Sequence, residues 1–203
     1  MKKSLLLLPL VLIASALALA ACGGGGSSSG GEETAIAEVI DNSATSTEPS
    51  KCTEYQTQAF NERDQGTSGS AAVKACEESA KEAEAPAEKV EVSNIEVNGK
   101  SATAEAAVVG SPLNGQTIEL EVVEEEGKWK LNKFLAFAKY DGAALAKGLE
   151  EEFDRQGEVE PELAECVSQA VGNASQEDAE TMVFEDDTEL VEELAEAAGC
   201  KLS

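Results

Sequence analysis

Lys89-Val90-Glu91-Val92-Ser93-Asn94-Ile95-Glu96-Val97-Asn98-Gly99 is the stretch on which the fold turns. Val90 and Val92 alternate with Glu91, and Ile95 and Val97 alternate with Glu96, but the second pair has the opposite parity. A period of two marks a strand with one buried face, and a one-residue parity slip near Ser93-Asn94 predicts a β-bulge. Asn98-Gly99 is a strong hairpin signal and predicts a type I′ turn. A second strand follows over Ser101 to Val109, with Ala102, Ala104, Ala106 and Val108 on one face. Residues this small would leave space beneath them. After Ser111-Pro112-Leu113-Asn114-Gly115, Ile118, Leu120 and Val122 alternate with Glu119 and Glu121. Beyond the turn at Glu124 to Gly127, Lys128-Trp129-Lys130-Leu131 alternates again towards Phe134.

Upstream the period is helical. Ile36, Val39 and Ile40 fall at helical spacing within Glu32 to Asp41. Cys52, Tyr55, Ala59 and Phe60 share one helical face, and Ser70 opens a further helix through Ala72, Val73 and Cys76 that ends near Pro86. Helices followed by four hairpin-linked strands predict an α+β fold in which helices pack on a curved, cone-like antiparallel sheet. Downstream lie four short amphipathic stretches. Leu145, Leu149 and Phe153 stripe the first, so Gly142 and Gly148 should not stop it. Pro161 opens the second, Ser175 and Asp187 cap the third and fourth, and Gly199 terminates the last before Cys200. They predict a small all-α C-terminal bundle.

The N-terminus reads differently. Met1-Lys2-Lys3 precedes an apolar run from Leu5 to Leu19, short of the ~20 residues a permanent spanning helix needs, so residues 1–21 read as a signal peptide. Leu19-Ala20-Ala21-Cys22 resembles the lipobox of bacterial lipoproteins. That resemblance implies acylation of Cys22, cleavage before it, and localisation to a cell membrane on the extracytoplasmic face through the lipid. Residues 22–31, Cys22 followed by GGGGSSSGG, read as a flexible tether. Residues 32–138 form the predicted α+β domain and 139–203 the acidic helical module.

Four further cysteines, Cys52, Cys76, Cys166 and Cys200, are an even number in an exported chain and imply disulfides with three possible connectivities. Local pairing, Cys52 with Cys76 and Cys166 with Cys200, brackets one helical segment on each side of the strands and is the expected arrangement.

The order of elements resembles the nuclear transport factor two-like (SnoaL-like) superfamily, and Gly127-Lys128-Trp129-Lys130-Leu131 is similar to the entry to the last strand in its exported bacterial members. The resemblance covers about residues 32 to 138. It implies a cone-shaped sheet around a pocket, used by some members for catalysis and by others for binding. A group of actinobacterial lipoproteins of this type has similar cysteine placements and a similar acidic helical appendage, which agrees with local pairing.

Chemistry is constrained by composition. The chain of 203 residues has 40 Asp and Glu against 15 Lys and Arg, a net charge of −25, and no histidine. Missing histidine removes His-based nucleophile pairs and metal sites. The acidic surface argues against nucleic acid and anionic headgroups as partners. No Cys-x-x-Cys and no calcium-loop spacing occur, so no metal and no cofactor is expected. Tyr55, Phe60, Trp129 and Phe134 are the aromatics expected to line any cavity. Glu54, Asp64 and Glu105 are the carboxylates an enzyme of isomerase or cyclase type would call on if buried. The sequence favours a non-catalytic, lipid-anchored protein that binds a small ligand or an envelope partner. The alternatives are such a carboxylate enzyme and a structural interaction protein with no pocket.

Overall fold

The computed structural model describes residues 29–82, 86–157, 159–185 and 187–201. The signal segment, Cys22 and the tether as far as Ser28 lie outside the described residues; its last three residues begin the first helix. That helix, α1, runs Ser29–Thr45 and is followed by α2 (Lys51–Glu54), α3 (Gln58–Asp64) and α4 (Ser70–Glu82). Four strands follow: β1 (Lys89–Asn98), β2 (Ser101–Val109), β3 (Thr117–Glu125) and β4 (Lys128–Lys139). The chain ends in α5 (Gly142–Gln156), α6 (Pro161–Gly172), α7 (Gln176–Phe184) and α8 (Thr188–Ala198). The sheet is an open antiparallel meander in the order β1-β2-β3-β4, so the fold is α+β as expected.

The slip in β1 is a bulge. Ser93 pairs with Glu105 and Glu96 with Thr103, three steps against two, and Asn94 takes φ +51° to absorb the extra residue. The turn chemistry is the reverse of the sequence reading. Asn98 pairs with Ser101, leaving Gly99-Lys100 as the loop, and of these only Gly99 has a positive φ. Type I′ geometry, positive at both loop positions, occurs instead at Glu126 (+53°) and Gly127 (+80°) between paired Glu125 and Lys128.

β4 is the strongly bent strand. It needs 12 residues to follow the 9 of β3, with register shifts at Thr117/Ile118, Glu119/Leu120 and Glu121/Val122. Each adds one residue to β4, so Leu131, Phe134 and Phe137 sit opposite Val122, Leu120 and Ile118. A spacing of three thereby keeps the large side chains on one face, where strict alternation would have turned Phe134 away. The resulting curvature brings both edge strands, β1 and β4, against α1.

The outer edge of β4 is covered from both ends of the chain. Sequence periodicity predicts one helix through Cys52 to Phe60, but it is broken at Tyr55–Thr57 because this segment pairs with the strand. Leu131 N–H donates to Tyr55 O (2.8 Å) and Thr57 N–H to Leu131 O (2.9 Å), and Thr57 then caps α3. Farther along, Phe137 N–H donates to Glu180 Oε1 and Gln176 Nε2 donates to Phe137 O, both at 2.8 Å. Side chains of α7 thus supply the partners that a fifth strand would have supplied.

The C-terminal helices share the core. One hydrophobic cluster runs from Ile36 and Phe60 through β2 and β3 to Leu145, Val171, Met182 and Ala195. The boundary placed after residue 138 falls inside β4, where Lys139 still pairs with Thr117. Buried Gln116 fixes the joint: its Oε1 accepts from Asp141 N–H (2.9 Å) and its Nε2 donates to Asp141 O (2.8 Å). Asp141 in turn caps α5 at Ala144 N–H. The predicted caps Ser175 and Asp187 accept from Asp178 and Leu190 N–H. Gly142 and Gly148 continue α5 as expected, for a reason of packing. A Cβ at Gly142 would lie 2.1 Å from Gly172 O, and one at Gly148 2.2 Å from Pro112 O.

Two disulfides are present, Cys52–Cys76 and Cys166–Cys200. In the chain-entropy model, loops of 24 and 34 residues are each worth about 3–4 kcal/mol. The first closes α2 onto α4 beside buried Gln56, whose Nε2 donates to Ser43 Oγ on α1 (3.0 Å).

Candidate functional site

Of the buried alanines of β2, Ala106 leaves room. Over Ala106 and Val108, and over Ile118 and Leu120 of β3, lies a cavity of about 460 Å³. Its roof is Ile40 and Ala44 of α1, Leu145 and Leu149 of α5, and Val183 of α7; Ser111 to Leu113 close one end. Two features position these walls. The bulges of β4 turn Phe134 inward, and the missing side chain at Gly148 lets α5 approach Pro112. Among the described residues lining the cavity, Ser111 alone has a polar side-chain atom. Among the described residues, its lining is suited to apolar matter.

A second cleft, of about 720 Å³, lies on the other side of Phe134, between α3, β4 and α7. Phe134 and Val183 line both spaces. The floor of the outer cleft is aromatic. Phe134 meets Phe60 edge-on at 5.2 Å between ring centroids and Phe184 at 5.5 Å, and Phe184 stacks in a tilted pair with Phe137 at 4.7 Å. Its rim is charged: Arg63 and Lys133 against Asp64, Glu177, Glu180 and Glu185. Arg63 already donates to Asn132 O, and Glu180 is held by Phe137 N–H and Gln176. Asp64 also acts on Lys51, whose ammonium is pushed below its ordinary value by burial and partly restored by that carboxylate.

The expected site residues divide. Phe60 and Phe134 line a cavity; half-buried Tyr55 and buried Trp129 line neither of these two. Tyr55 is committed through its backbone to Leu131, and Trp129 packs in the core cluster at the far end of β4. Of the carboxylates, Asp64 stands on the rim of the outer cleft, and Glu54 and Glu105 line neither space. Phe184 and Val183 were missed by sequence reasoning, because nothing local says that α7 docks on β4. Among the described residues no group of three or more acidic or cysteine side chains is arranged to hold a metal ion, and no helix is long and apolar enough to cross a membrane. Comparison with protein-family models, with curated proteins and with solved structures gives no match.

Proposed function

We propose that this chain is a lipid-anchored extracytoplasmic protein, similar to the nuclear transport factor two-like type, that holds an apolar small molecule without transforming it. The observation that carries the reading is the inner cavity, whose volume falls in the ~300–1,000 Å³ range of small-molecule sites and whose lining offers aliphatic and aromatic surface with a single hydroxyl. A general acid–base catalyst would need a carboxylate or a basic side chain aimed into that space, and the described lining offers Ser111 alone as a polar side chain. The anchoring part of the reading is supported by the charged start, the short apolar run and Leu19-Ala20-Ala21-Cys22. Acyl chains on Cys22 would hold the acidic unit at the membrane while its charge keeps it off anionic headgroups.

The test is a homologous series of 1-alkanols titrated calorimetrically into the chain beginning at Gly23, which retains every described element. Affinity should rise about fourfold per added methylene until the cavity is filled. Absence of saturable binding, or affinity independent of chain length, overturns the reading. Separately, Cys22→Ser in the full-length chain should release the protein from the membrane fraction; an unprocessed mutant that stays there refutes the lipid anchor.

A further inference from the structure

The inner cavity and the outer cleft differ in character yet meet at two side chains. From the reading of the inner cavity as an apolar site, we infer that the ligand is a single-chain amphiphile with a quaternary ammonium head. Its chain occupies the inner cavity, passes between Phe134 and Val183, and leaves its head in the outer cleft.

Three observations converge on this. The first is the polarity gradient. Among the described residues, one serine interrupts the apolar wall inside, and six charged side chains stand over an aromatic floor outside. A molecule filling both must be apolar at one end and charged at the other. The second is the thinness of the partition. Phe134 and Val183 are the residues common to both linings, each half-buried. The third is the chemistry of the cleft. Phe60, Phe134 and Phe184 converge at centroid spacings of 5.2 and 5.5 Å, and faces of aromatic rings attract cations, quaternary ammonium groups above all.

The charges agree in sign. Asp64, Glu177, Glu180 and Glu185 outnumber Arg63 and Lys133. Glu185 also sits at the C-terminal cap of α7, the end where helix carbonyls favour a cation. An anionic head would meet those carboxylates and the field of a chain carrying −25. Chain desolvation supplies affinity in this arrangement; the cleft supplies the choice of head.

The experiment compares three ligands of one chain length, all below micelle formation: dodecyltrimethylammonium, dodecanol and dodecanoate. Each is titrated into the chain beginning at Gly23 and read by calorimetry and native mass spectrometry. The ammonium compound should bind at least tenfold tighter than dodecanol, and dodecanoate more weakly than dodecanol. Glu177→Gln with Glu185→Gln should remove most of the ammonium advantage and leave dodecanol within twofold. Glu192→Gln with Glu193→Gln, an equal charge change on exposed α8 positions, should change neither, which separates the cleft from bulk attraction. Val183→Phe, which narrows the passage, should weaken dodecyltrimethylammonium at least tenfold. Equal binding of all three ligands overturns the head assignment while the apolar cavity stands, as does tightest binding of dodecanoate. Binding of none of them removes the cavity reading, and this inference with it.

Discussion

The existence of the inner space can be tested without any ligand by substituting Ala106→Val. Ala106 is 3 % exposed, lines the cavity, and lies between Val92 and Ile118 in the sheet register. Valine adds two carbons that point into the 460 Å³ space, and at ~0.8 kcal/mol per buried methylene the gain is up to about 1.6 kcal/mol. A β-branched residue also suits the pleated surface and its two cross-strand neighbours. For a chain of this size the midpoint of thermal unfolding should rise by about 3–6 °C. Ala102→Val is the control. Ala102 is on the same face and 2 % exposed, but it lines neither space and is flanked by Val97 and Val122. Forcing a larger side chain into closed packing costs ~1–3 kcal/mol, so its midpoint should fall. Both are read by circular dichroism melts and urea midpoints. If Ala106→Val loses stability as Ala102→Val does, the space over β2 is filled in solution and the reasoning from it collapses.

Turn chemistry offers a second test. Glu126→Asn relieves a left-handed conformation that a long side chain resists, and should add about 1 kcal/mol, whereas Asn98→Thr should be near neutral because Asn98 lies in a paired strand position; a larger loss at 98 than gain at 126 would contradict the observed registers. Gly148→Ala, which in an exposed helix would gain about 1 kcal/mol, should instead lose ~1–3 kcal/mol through collision with Pro112 O, and a rise in the urea midpoint would show that α5 stands farther off. Glu62 accepts from Gln58 Nε2 and Gly69 N–H, which hold its carboxyl below the ordinary value. A carboxyl lowered on folding contributes stability above its unfolded pKa and loses it as pH falls through the folded one. Glu62→Gln should therefore be less stable than the parent at pH 7 by a gap that closes as acid protonates the carboxyl in the folded protein, and a gap unchanged in acid would assign the effect to something other than ionisation.

What was legible in the sequence followed from local period and punctuation. The bulge at Asn94 announced itself because Val92 and Ile95 differ in parity, and the ends of the last three helices because Ser175, Asp187 and Gly199 each satisfy orphan backbone groups at a helix end and Pro161 lacks the N–H that would be an orphan there. The bulges of β4 were hidden for the opposite reason. Leu131, Phe134 and Phe137 recur every third residue, a spacing that reads as neither strand nor helix until β3 is laid beside it. Asn98-Gly99 outranked Glu126-Gly127 on propensity, yet the pairing of flanking residues decided which dipeptide became the I′ loop. Phe60 and Phe134 were legible as apolar rings bound for the core, though nothing local said which space each would border. Val183 and Phe184 were out of reach, since their role depends on Gln176 and Glu180 finding the backbone of one residue of β4, Phe137, about 40 residues earlier in the chain.

That docking has a consequence for the order in which the molecule can be made. A chain emerging from its N-terminus has the Tyr55–Thr57 clasp ready when Leu131 appears, so one half of the bent strand can be secured at once. The other half must wait for α7, and until then Phe137 N–H and O lack their partners and the rings of Phe134 and Phe137 lack their contact with Phe184. The final helices are thus the closing step of assembly, and a chain interrupted before Gln176 would leave an adhesive strand edge exposed to its neighbours.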